Sequence, residues 1–438
     1  MKIYLDLKVL VNYTNICNIF TENITSINNT NINTINNSII ISDNIYKLLN
    51  YSVDRSNLIV SIGELYINNN ENIVSILDLE NDIINGLLNC MSYKNSNTIT
   101  SGIQYLTDKL NIKYSINIIN LDKTKYITHS DIINCNPSFN TIISLVKNNI
   151  INKNLHQIPP KISIPIENNG FYNTMPCIKN GLYSCKVVIR NFNNRPLLSG
   201  HIYLYDIINS KLISILDSKW ITSIRTGVIA GITIDALAIK NFNSIAFIGL
   251  GNCAISTLLC VSSLYPTKQL IVKLLKYKDT TEHFINRFKD FKNIKFIIID
   301  NFNTLCNNTD VIVSSVSSQT SLFSNSTDIY KKGVLIVPIQ TRGFQNCDIA
   351  FDKIVVDDVP HIKHFKNYSK MKSVIELSDI LNKKYIGRNN DIQRILAYNI
   401  GLGVHDNSLA SYIYMLLSNA NLESFSNIDY TNGHKIIV

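Results

Sequence analysis

The clearest functional motif in the sequence is a pair of glycines followed by an alanine, Gly249-x-Gly251-x-x-Ala254. They follow a short apolar segment, Ser244–Ile248, and precede a segment with helical spacing. In such a place the first glycine allows a tight turn, the second lets the backbone approach a pyrophosphate, and the small third residue lets helix and strand pack. The N–H groups at the start of the helix then face the phosphates. The pattern predicts a dinucleotide-binding loop; the alternative is a turn with a structural role only.

The next predicted strand ends in residues that could distinguish two dinucleotides. An acid at this place hydrogen-bonds the ribose 2′-hydroxyl of NAD(H), whereas a basic residue suits the 2′-phosphate of NADP(H). Here Lys276 and Lys278 end the strand, and the first acid, Asp279, comes after them. The cofactor is predicted to be NADP(H) or NAD(H), with NADP(H) favoured. The alternative for these lysines is a solvated edge without a ligand.

The elements around the glycine loop alternate between strands and helices, which predicts a parallel, doubly wound sheet of Rossmann type. Before this region, strands near residues 162–164, 184–189, 201–205 and 212–216 follow one another closely, with Met175-Pro176 ahead of the second. Such close succession predicts a mostly antiparallel or mixed sheet. The fold class is therefore α/β, with a Rossmann-type doubly wound parallel sheet, a mixed sheet and an N-terminal appendage.

The appendage, residues 1–125, carries the weakest signals. Apolar spacing predicts a helix over residues 73–91 and suggests another over 102–110, and residues 113–119 alternate as a strand would. The chain is rich in Asn and Ile, which weakens every propensity argument in this region. No catalytic motif stands out here, so the role of the appendage stays open.

The composition excludes several classes of protein. Hydrophobic residues make up 45 % of the chain, which allows a sizeable core and excludes full disorder. The net charge of +9 reflects few acids (32) rather than many bases (41), so it is weak evidence for nucleic acid. No segment reaches the ~18 apolar residues of a membrane helix, and Lys2, Asp6 and Lys8 interrupt the apolar region that a signal peptide needs. We expect a cytoplasmic protein that binds neither nucleic acid nor membrane.

Cysteine and histidine spacing gives no sign of a metal site. The nine cysteines include no C-x-x-C pair, and the eight histidines include no H-x-x-x-H or H-E-x-x-H pattern. We therefore expect free thiols and no dedicated metal ion.

Several short motifs, taken in order, resemble the ornithine cyclodeaminase/mu-crystallin family over residues 126–425. They are Pro160-Lys161, Met175-Pro176, Lys186-Val187-Val188, residues 221–227, the glycine loop, Ser314-Ser315, residues 355–358, Gly387-Arg388 and residues 399–406. The resemblance implies a two-domain protomer that forms a homodimer. A substrate-binding/dimerisation domain would comprise residues 126–235 and 385–438, and a dinucleotide-binding Rossmann domain residues 236–384.

The resemblance also assigns residues to the substrate. Lys186 matches the active-site lysine of the family and is expected to be catalytic. Lys161 stands where the family often has an arginine for the substrate carboxylate, and Arg225 matches a second carboxylate-binding arginine. The chemistry agrees, because two or three cations can fix the carboxylate of an amino or imino acid and orient its Cα hydrogen at the nicotinamide. A lysine among cations can have a lowered pKa and exchange a proton.

The cofactor-binding residues implied by the resemblance lie on several elements. They are Thr226, Gly249, Gly251, Asn252, Cys253, Ala254, Lys276, Ser314, Ser315, Asn399, Ile400 and Gly401.

One departure from the family decides between its branches. Ornithine cyclodeaminases carry an aspartate in the loop after the strand at residues 334–337, whereas this chain has no acid there before Asp348 and has Arg342 instead. Arg342 would suit a substrate with an extra carboxylate. The chain is therefore closer to the opine-like amino-acid dehydrogenases and imine reductases, which act on a Cα–N bond with NAD(P). The alternatives are an ornithine cyclodeaminase, which forms proline and ammonia, and a non-catalytic NADP-binding protein of the mu-crystallin kind.

Overall fold

A computed structural model of the chain describes residues 123–426, apart from 168–169, 194–195, 208–209, 317–318, 320 and 418–419, together with six short strands before residue 123. Two sheets with their helices make up residues 123–426. None of the helices in this described part is both long enough and apolar enough to cross a bilayer.

The first sheet has seven strands in the order β21-β7-β12-β11-β10-β9-β8. Its strands are β7 (Lys123–Ile127), β8 (Ile162–Ile166), β9 (Gly170–Lys179), β10 (Leu182–Arg190), β11 (Leu198–Asp206), β12 (Lys211–Asp217) and β21 (Ser424–Ser426). All neighbours are antiparallel except β7 and β12. Helices packed on it are α1 (His129–Asn134), α2 (Phe139–Ile151), α3 (Lys219–Leu237) and α9 (Gly403–Leu416). The predicted mixed sheet is confirmed.

No strand was predicted over residues 170–179, yet β9 occupies them, with Met175-Pro176 inside it. Alternate residues of a strand point their N–H groups to the same side, and Ile178 points its N–H away from β10, to Gln157. Pro176 faces that same side, where β8 has already ended its pairing at Thr174. A proline is tolerated there because no neighbouring strand needs its N–H.

The second sheet has eight parallel strands in the order β15-β14-β13-β16-β17-β20-β18-β19. Its strands are β13 (Ser244–Ile248), β14 (Leu270–Leu275), β15 (Ile294–Ile299), β16 (Val311–Ser314), β17 (Leu335–Pro338), β18 (Lys353–Val356), β19 (Val374–Glu376) and β20 (Ile395–Tyr398). The intervening helices are α4 (Asn252–Leu264), α5 (Thr280–Asn286), α6 (Phe302–Cys306), α7 (Cys347–Ala350) and α8 (Leu377–Leu381). The first five strands follow the 3-2-1-4-5 order of a doubly wound sheet, so the predicted fold class is confirmed.

Strand β20 lies in the parallel sheet, between β17 and β18. The domain boundaries implied by the resemblance put residues 385–438 with the mixed sheet, whereas β20 pairs with strands of the parallel sheet. Only the segment after it, with α9 and β21, packs on or joins the mixed sheet. Strand β20 is short, apolar and fully buried, as strands of a parallel sheet are. Its place along the chain does not show which of the two sheets it joins.

The strands before residue 123 form a separate six-stranded sheet in the order β2-β1-β3-β4-β5-β6. They are β1 (Lys2–Leu5), β2 (Ile24–Ser26), β3 (Ser38–Ser42), β4 (Leu58–Ile62), β5 (Ile73–Ile76) and β6 (Leu88–Cys90). The helix predicted over residues 73–91 is wrong, since both ends of that range are strands. Three of the four residues of β5, Ile73, Val74 and Ile76, are β-branched, which favours a strand at the start of that range. The elements expected at 102–110 and 113–119 lie outside the described residues.

Candidate active site

Charged side chains converge where the mixed sheet meets helices α3 and α9. Lys186, in the middle of β10, is fully buried, and its Nζ donates a hydrogen bond to Asp406 Oδ2 at 2.7 Å. Arg225, on α3, donates from Nε to Asp406 Oδ1 at 3.3 Å. Asp406 lies in the first turn of α9 and is itself buried. One carboxylate therefore holds two cations, from a strand and a helix, in fixed positions.

Protonation of Lys186 is strongly perturbed by this environment. Burial lowers its pKa, the charge of Arg225 lowers it further, and Asp406 opposes both, which leaves a pKa of about 7. Burial alone would raise the pKa of Asp406, but the charges of Arg225 and Lys186 bring it below its ordinary value. Asp406 therefore stays ionised at neutral pH, whereas Lys186 can exchange a proton there.

Lys161 belongs to the same cluster of charges. It immediately precedes β8, and its pKa is lowered by burial and then by Arg225, while Asp357 raises it. Its own charge in turn lowers the pKa of Lys186. The structure thus brings together Lys161, Lys186 and Arg225, the three cations that we expected to meet the substrate.

The turn after β20 is fixed by a buried acid and closes against Arg225. Asp357 Oδ2 accepts the N–H of Gly401 at 2.7 Å, and its Oδ1 accepts Asn399 Nδ2 at 3.1 Å. The same amide nitrogen donates to Thr233 Oγ1 at 3.0 Å. Gly401 has φ +88°, and a Cβ there would lie 2.1 Å from Arg225 Nη1. Only glycine allows the backbone to approach the guanidinium this closely.

The side-chain carbonyl of Asn399 is available to a ligand. Its Oδ1 is buried, and within the described part of the chain it has no hydrogen-bond partner. Ile400, the next residue, is partly buried against the core of the parallel sheet. An unpaired buried carbonyl is an open acceptor for a ligand amide.

The glycine loop has the geometry that its sequence predicted. Gly249 has φ +82°, and its carbonyl accepts a hydrogen bond from Ser315 Oγ at 2.8 Å. Gly251 is the N-cap of α4, and a Cβ built there would meet no atom within 4 Å. Ala254 is fully buried in the core. The open space at Gly251 beside a helix N-terminus fits a pyrophosphate.

Other predicted cofactor residues surround this loop. Ser314 ends β16, is buried, and its Oγ accepts Gln340 Nε2 at 2.9 Å. Thr226 is buried on α3 and donates to the carbonyl of Thr222. Asn252 and Cys253 begin α4, and burial raises the pKa of the Cys253 thiol to about 11 despite the nearby Arg225.

Lys276 lies at the far end of β14. Its side chain is 60 % exposed, and its Nζ is 3.6 Å from Asp300 Oδ1. Lys278, with φ +48°, places its Nζ over the ring of Tyr277. Both lysines therefore reach solvent at the edge of the sheet, as either interpretation of them requires.

Arg342 is not hydrogen-bonded to the cluster around Asp406 among the residues that the structure describes. It is exposed, in a tight turn whose flanking residues Thr341 (φ +63°) and Gly343 (φ +91°) are both left-handed. The Gln345 side chain holds this turn, accepting Gly343 N–H at 2.9 Å and donating to the Thr341 carbonyl at 3.1 Å. Burial lowers the pKa of Arg190, and the charge of Arg342 lowers it further.

Sequence reasoning missed three acids and bases of this region: Asp406, Asp357 and His361. Asp406 and Asp357 lie within the family motifs at residues 399–406 and 355–358, but no role was predicted for either of them. The available signal for Asp406 was that it is the only carboxyl group in a helix that contains neither lysine nor arginine. No group of three or more His, Cys, Asp or Glu in the described regions is arranged to hold a metal ion.

Comparison with known proteins places the chain in one family. The model of the ornithine cyclodeaminase/mu-crystallin family matches residues 127–421. N-((2S)-2-amino-2-carboxyethyl)-L-glutamate dehydrogenase of Staphylococcus aureus is 24% identical over 248 residues, 54% of this chain and 73% of that protein. Delta(1)-pyrroline-2-carboxylate reductase of Bacillus thuringiensis is 24% identical over 285 residues, 58% of this chain and 85% of that protein.

Solved structures agree on the fold. An archaeal alanine dehydrogenase dimer with bound NAD has a TM-score of 0.61 at 21% identity, covering 70% of this chain and 99% of that one. Thermococcus litoralis Delta(1)-pyrroline-2-carboxylate reductase, in complex with NADH and L-proline, has a TM-score of 0.58 at 17% identity and covers 70% of this chain and all of that one, 100%. The family model matches well over half of the chain, so the protein belongs to the ornithine cyclodeaminase/mu-crystallin family.

Proposed function

We propose that this protein is an NAD(P)-dependent oxidoreductase that acts on the Cα–N bond of an amino or imino acid. The observation that carries the proposal is the buried cluster of Lys186, Arg225 and Asp406. Relatives that are dehydrogenases or reductases of such compounds support it.

The residues present fit a nicotinamide dinucleotide. The space above Gly251 and the first turn of α4 would take the pyrophosphate. Asn399 Oδ1, buried and without a partner in the described regions, would accept a hydrogen bond from the carboxamide. When bound, NAD(P)H supplies the hydride for the Cα of an imine.

The chain's own residues supply binding, orientation and a proton. Lys161 and Arg225 bind the substrate carboxylate, and two cations on different elements fix its direction. Lys186 gives a proton from Nζ to the substrate nitrogen during reduction and takes it back during oxidation. Its pKa of about 7 suits both directions near neutral pH. Asp406 holds Lys186 and Arg225 in place.

Net turnover of cofactor tests the proposal. The purified protein would be mixed with NADPH or NADH and a panel of 2-oxo acids with ammonia or amines, which form imines in solution. We expect consumption of reduced cofactor that depends on both partners. Formation of proline and ammonia from ornithine without net cofactor change would instead establish the cyclodeaminase, and cofactor binding without any turnover would establish the non-catalytic alternative.

We also propose that the substrate carries a second carboxylate, bound by Arg342 together with Arg190. Arg342 stands where the cyclodeaminases have an acid, and its charge already acts on Arg190. Arg190 lies on the same face of β10 as Lys186, four residues along, and its guanidinium stacks at 4.6 Å over Phe171. An anion between two like charges relieves their repulsion, so a dicarboxylate gains more than a monocarboxylate.

The ratio of kcat/KM for dicarboxylic against monocarboxylic imino acids tests this specificity. Arg342→Ala should lower the ratio about tenfold, the effect of one lost charge-assisted hydrogen bond. Arg287→Ala, at an exposed arginine beside α5, serves as the control and should leave the ratio unchanged. A wild-type preference for ornithine, with its distal ammonium, would contradict the assignment.

We propose a homodimer formed through the mixed sheet. Its edge strand β8 exposes Ile162 and Ile164 by 61 % and 60 %. Exposed apolar edge strands favour pairing with a second copy. Sedimentation equilibrium would detect the dimer, and a monomer at micromolar concentration would contradict it.

A further inference from the structure

The turn after β18, residues 357–361, contacts both halves of the described structure. Its two consecutive acids have different partners. Asp357 accepts hydrogen bonds from Gly401 and Asn399, on the side of the charged cluster. Asp358 instead forms an ion pair with Lys153 and a hydrogen bond with His361.

Lys153 ties this turn to the helices of the mixed sheet. It begins the short 3-10 segment Lys153–Leu155 that follows α2. Besides Asp358, its Nζ contacts Glu376 Oε2 at 2.7 Å and the Asp357 carbonyl at 3.2 Å. Glu376 Oε1 accepts the N–H of Val359 at 2.8 Å. The backbone of the turn is therefore held on two sides and provides a fixed base for His361.

The hydrogen bonds of His361 define its tautomer. Its ring is buried, and Nδ1 lies 2.6 Å from Asp358 Oδ2. Its Nε2 lies 3.3 Å from the backbone nitrogen of Lys161, which can only donate. Nε2 must therefore carry the lone pair, and Nδ1 carries the proton that Asp358 accepts.

Within one protomer, the strand that follows Lys161 gives it little support. All residues of β8 except the last are exposed, and β8 is the edge of its sheet. Its pairing with β9 begins only at Ile162. The contact with His361 thus joins the start of an exposed strand to the fixed turn after β18.

We propose that His361 is a positioning residue that holds the backbone of Lys161 and thereby places the Lys161 ammonium for the substrate carboxylate. The proposal rests on the proposed function for the substrate, and it adds a residue from the parallel-sheet half to the site. His361 does not touch substrate or cofactor in this arrangement. It acts through the backbone of Lys161.

Two substitutions at this position separate positioning from folding. His361→Phe keeps an aromatic ring and removes both hydrogen bonds, whereas His361→Gln keeps one donor and one acceptor. We expect the phenylalanine variant to raise KM for the imino acid about tenfold, with kcat within about threefold and cofactor affinity unchanged, because one hydrogen bond that orients a binding group is lost. The glutamine variant should restore KM. His364→Phe, at an exposed histidine packed on Phe365, is the matched control.

Hydrogen–deuterium exchange gives a readout that needs no activity. The peptide containing Lys161 should exchange faster in His361→Phe than in wild type and recover in His361→Gln. A folded His361→Phe variant with wild-type exchange at Lys161, or with wild-type KM, overturns the proposal, as does a uniform loss of kcat and cofactor affinity. Complete inactivity of the wild-type protein overturns the proposed function and, with it, the role of Lys161 in binding substrate. In that case the hydrogen–deuterium exchange data still decide whether His361 holds the backbone of Lys161.

Discussion

Replacing Asp406 by asparagine should move the pH dependence of catalysis in a defined direction. Asp406 is the group that raises the pKa of Lys186 against burial and Arg225. At the observed 2.7 Å, a full charge pair in a surrounding of effective dielectric constant near 20 contributes roughly 6 kcal/mol. That corresponds to roughly four pKa units as an upper limit. Because the asparagine carbonyl still accepts a hydrogen bond, we expect a fall of about two units.

The direction of the change in the pH profile follows from the protonation state of Lys186 that each reaction needs. Reduction of an imine needs protonated Lys186, so kcat falls as the pH rises through its pKa of about 7. With a pKa lowered to about 5, the protonated fraction at pH 7 drops from about half to about 1 %, a loss of roughly fiftyfold in kcat that is regained near pH 5. Oxidation needs neutral Lys186, and its lower inflection should move to acid pH by the same amount.

The assay is kcat for reduction against pH, followed by the absorbance of the reduced cofactor at saturating substrates. The variant should also be less stable by ~3–5 kcal/mol, because the Arg225 guanidinium loses its buried partner. Asp348→Asn is the matched control: that carboxyl group is also buried and accepts Tyr398 Oη–H at 2.6 Å, but it lies outside the cluster. The control should lose stability without a shifted inflection. An unchanged inflection in a folded Asp406→Asn variant would refute the reasoning.

Three further predictions concern the cofactor and the proton. Lys186→Ala should abolish turnover and leave cofactor affinity near wild type, as measured by titration of NADPH fluorescence. A variant that binds the cofactor weakly but still turns over substrate would contradict the catalytic role of Lys186. Gly251→Ala should leave the melting temperature unchanged, since no atom lies within 4 Å of its Cβ, yet weaken cofactor binding at least about tenfold; Gly249→Ala, at φ +82°, should instead cost stability. NADP(H) should bind more tightly than NAD(H), because the exposed ion pair of Lys276 with Asp300 contributes little stability and leaves the lysine available for a 2′-phosphate. Lys276→Asp should reverse the preference. A wild-type preference for NAD(H) would show that Lys276 contacts only solvent.

The glycine loop could be predicted because all of its information is local. The strand, the two glycines, Ala254 and the helix that make up the pattern all lie within residues 244–264, although in the fold the Gly249 carbonyl also accepts a hydrogen bond from Ser315, 66 residues away. The alternation of strands and helices around it is local as well, and it gave the correct sheet type. The fold class followed from these short-range patterns.

The partners of the site could not be predicted in the same way. Lys186 and Asp406 are separated by 220 residues, and no periodicity links them. The contact of Lys161 with His361 spans 200 residues and uses a backbone N–H, which leaves no trace in residue type. Strand β9 was not predicted, because Pro176 argues against a strand unless it is known that β8 ends its pairing before that residue.

The position of β20 has a consequence for how the chain acquires its structure during synthesis. Residues 335–338 and 353–356 leave the ribosome well before residues 395–398, yet β20 pairs with both of those strands. Until it arrives, β17 and β18 each present an open edge, and such edges invite pairing with other chains. Asn399 and Gly401 follow β20 directly, so the turn against Arg225 forms only with this last insertion. A nascent chain therefore passes through a stage with an incomplete parallel sheet and no assembled site, and the rate of that step sets its exposure to aggregation.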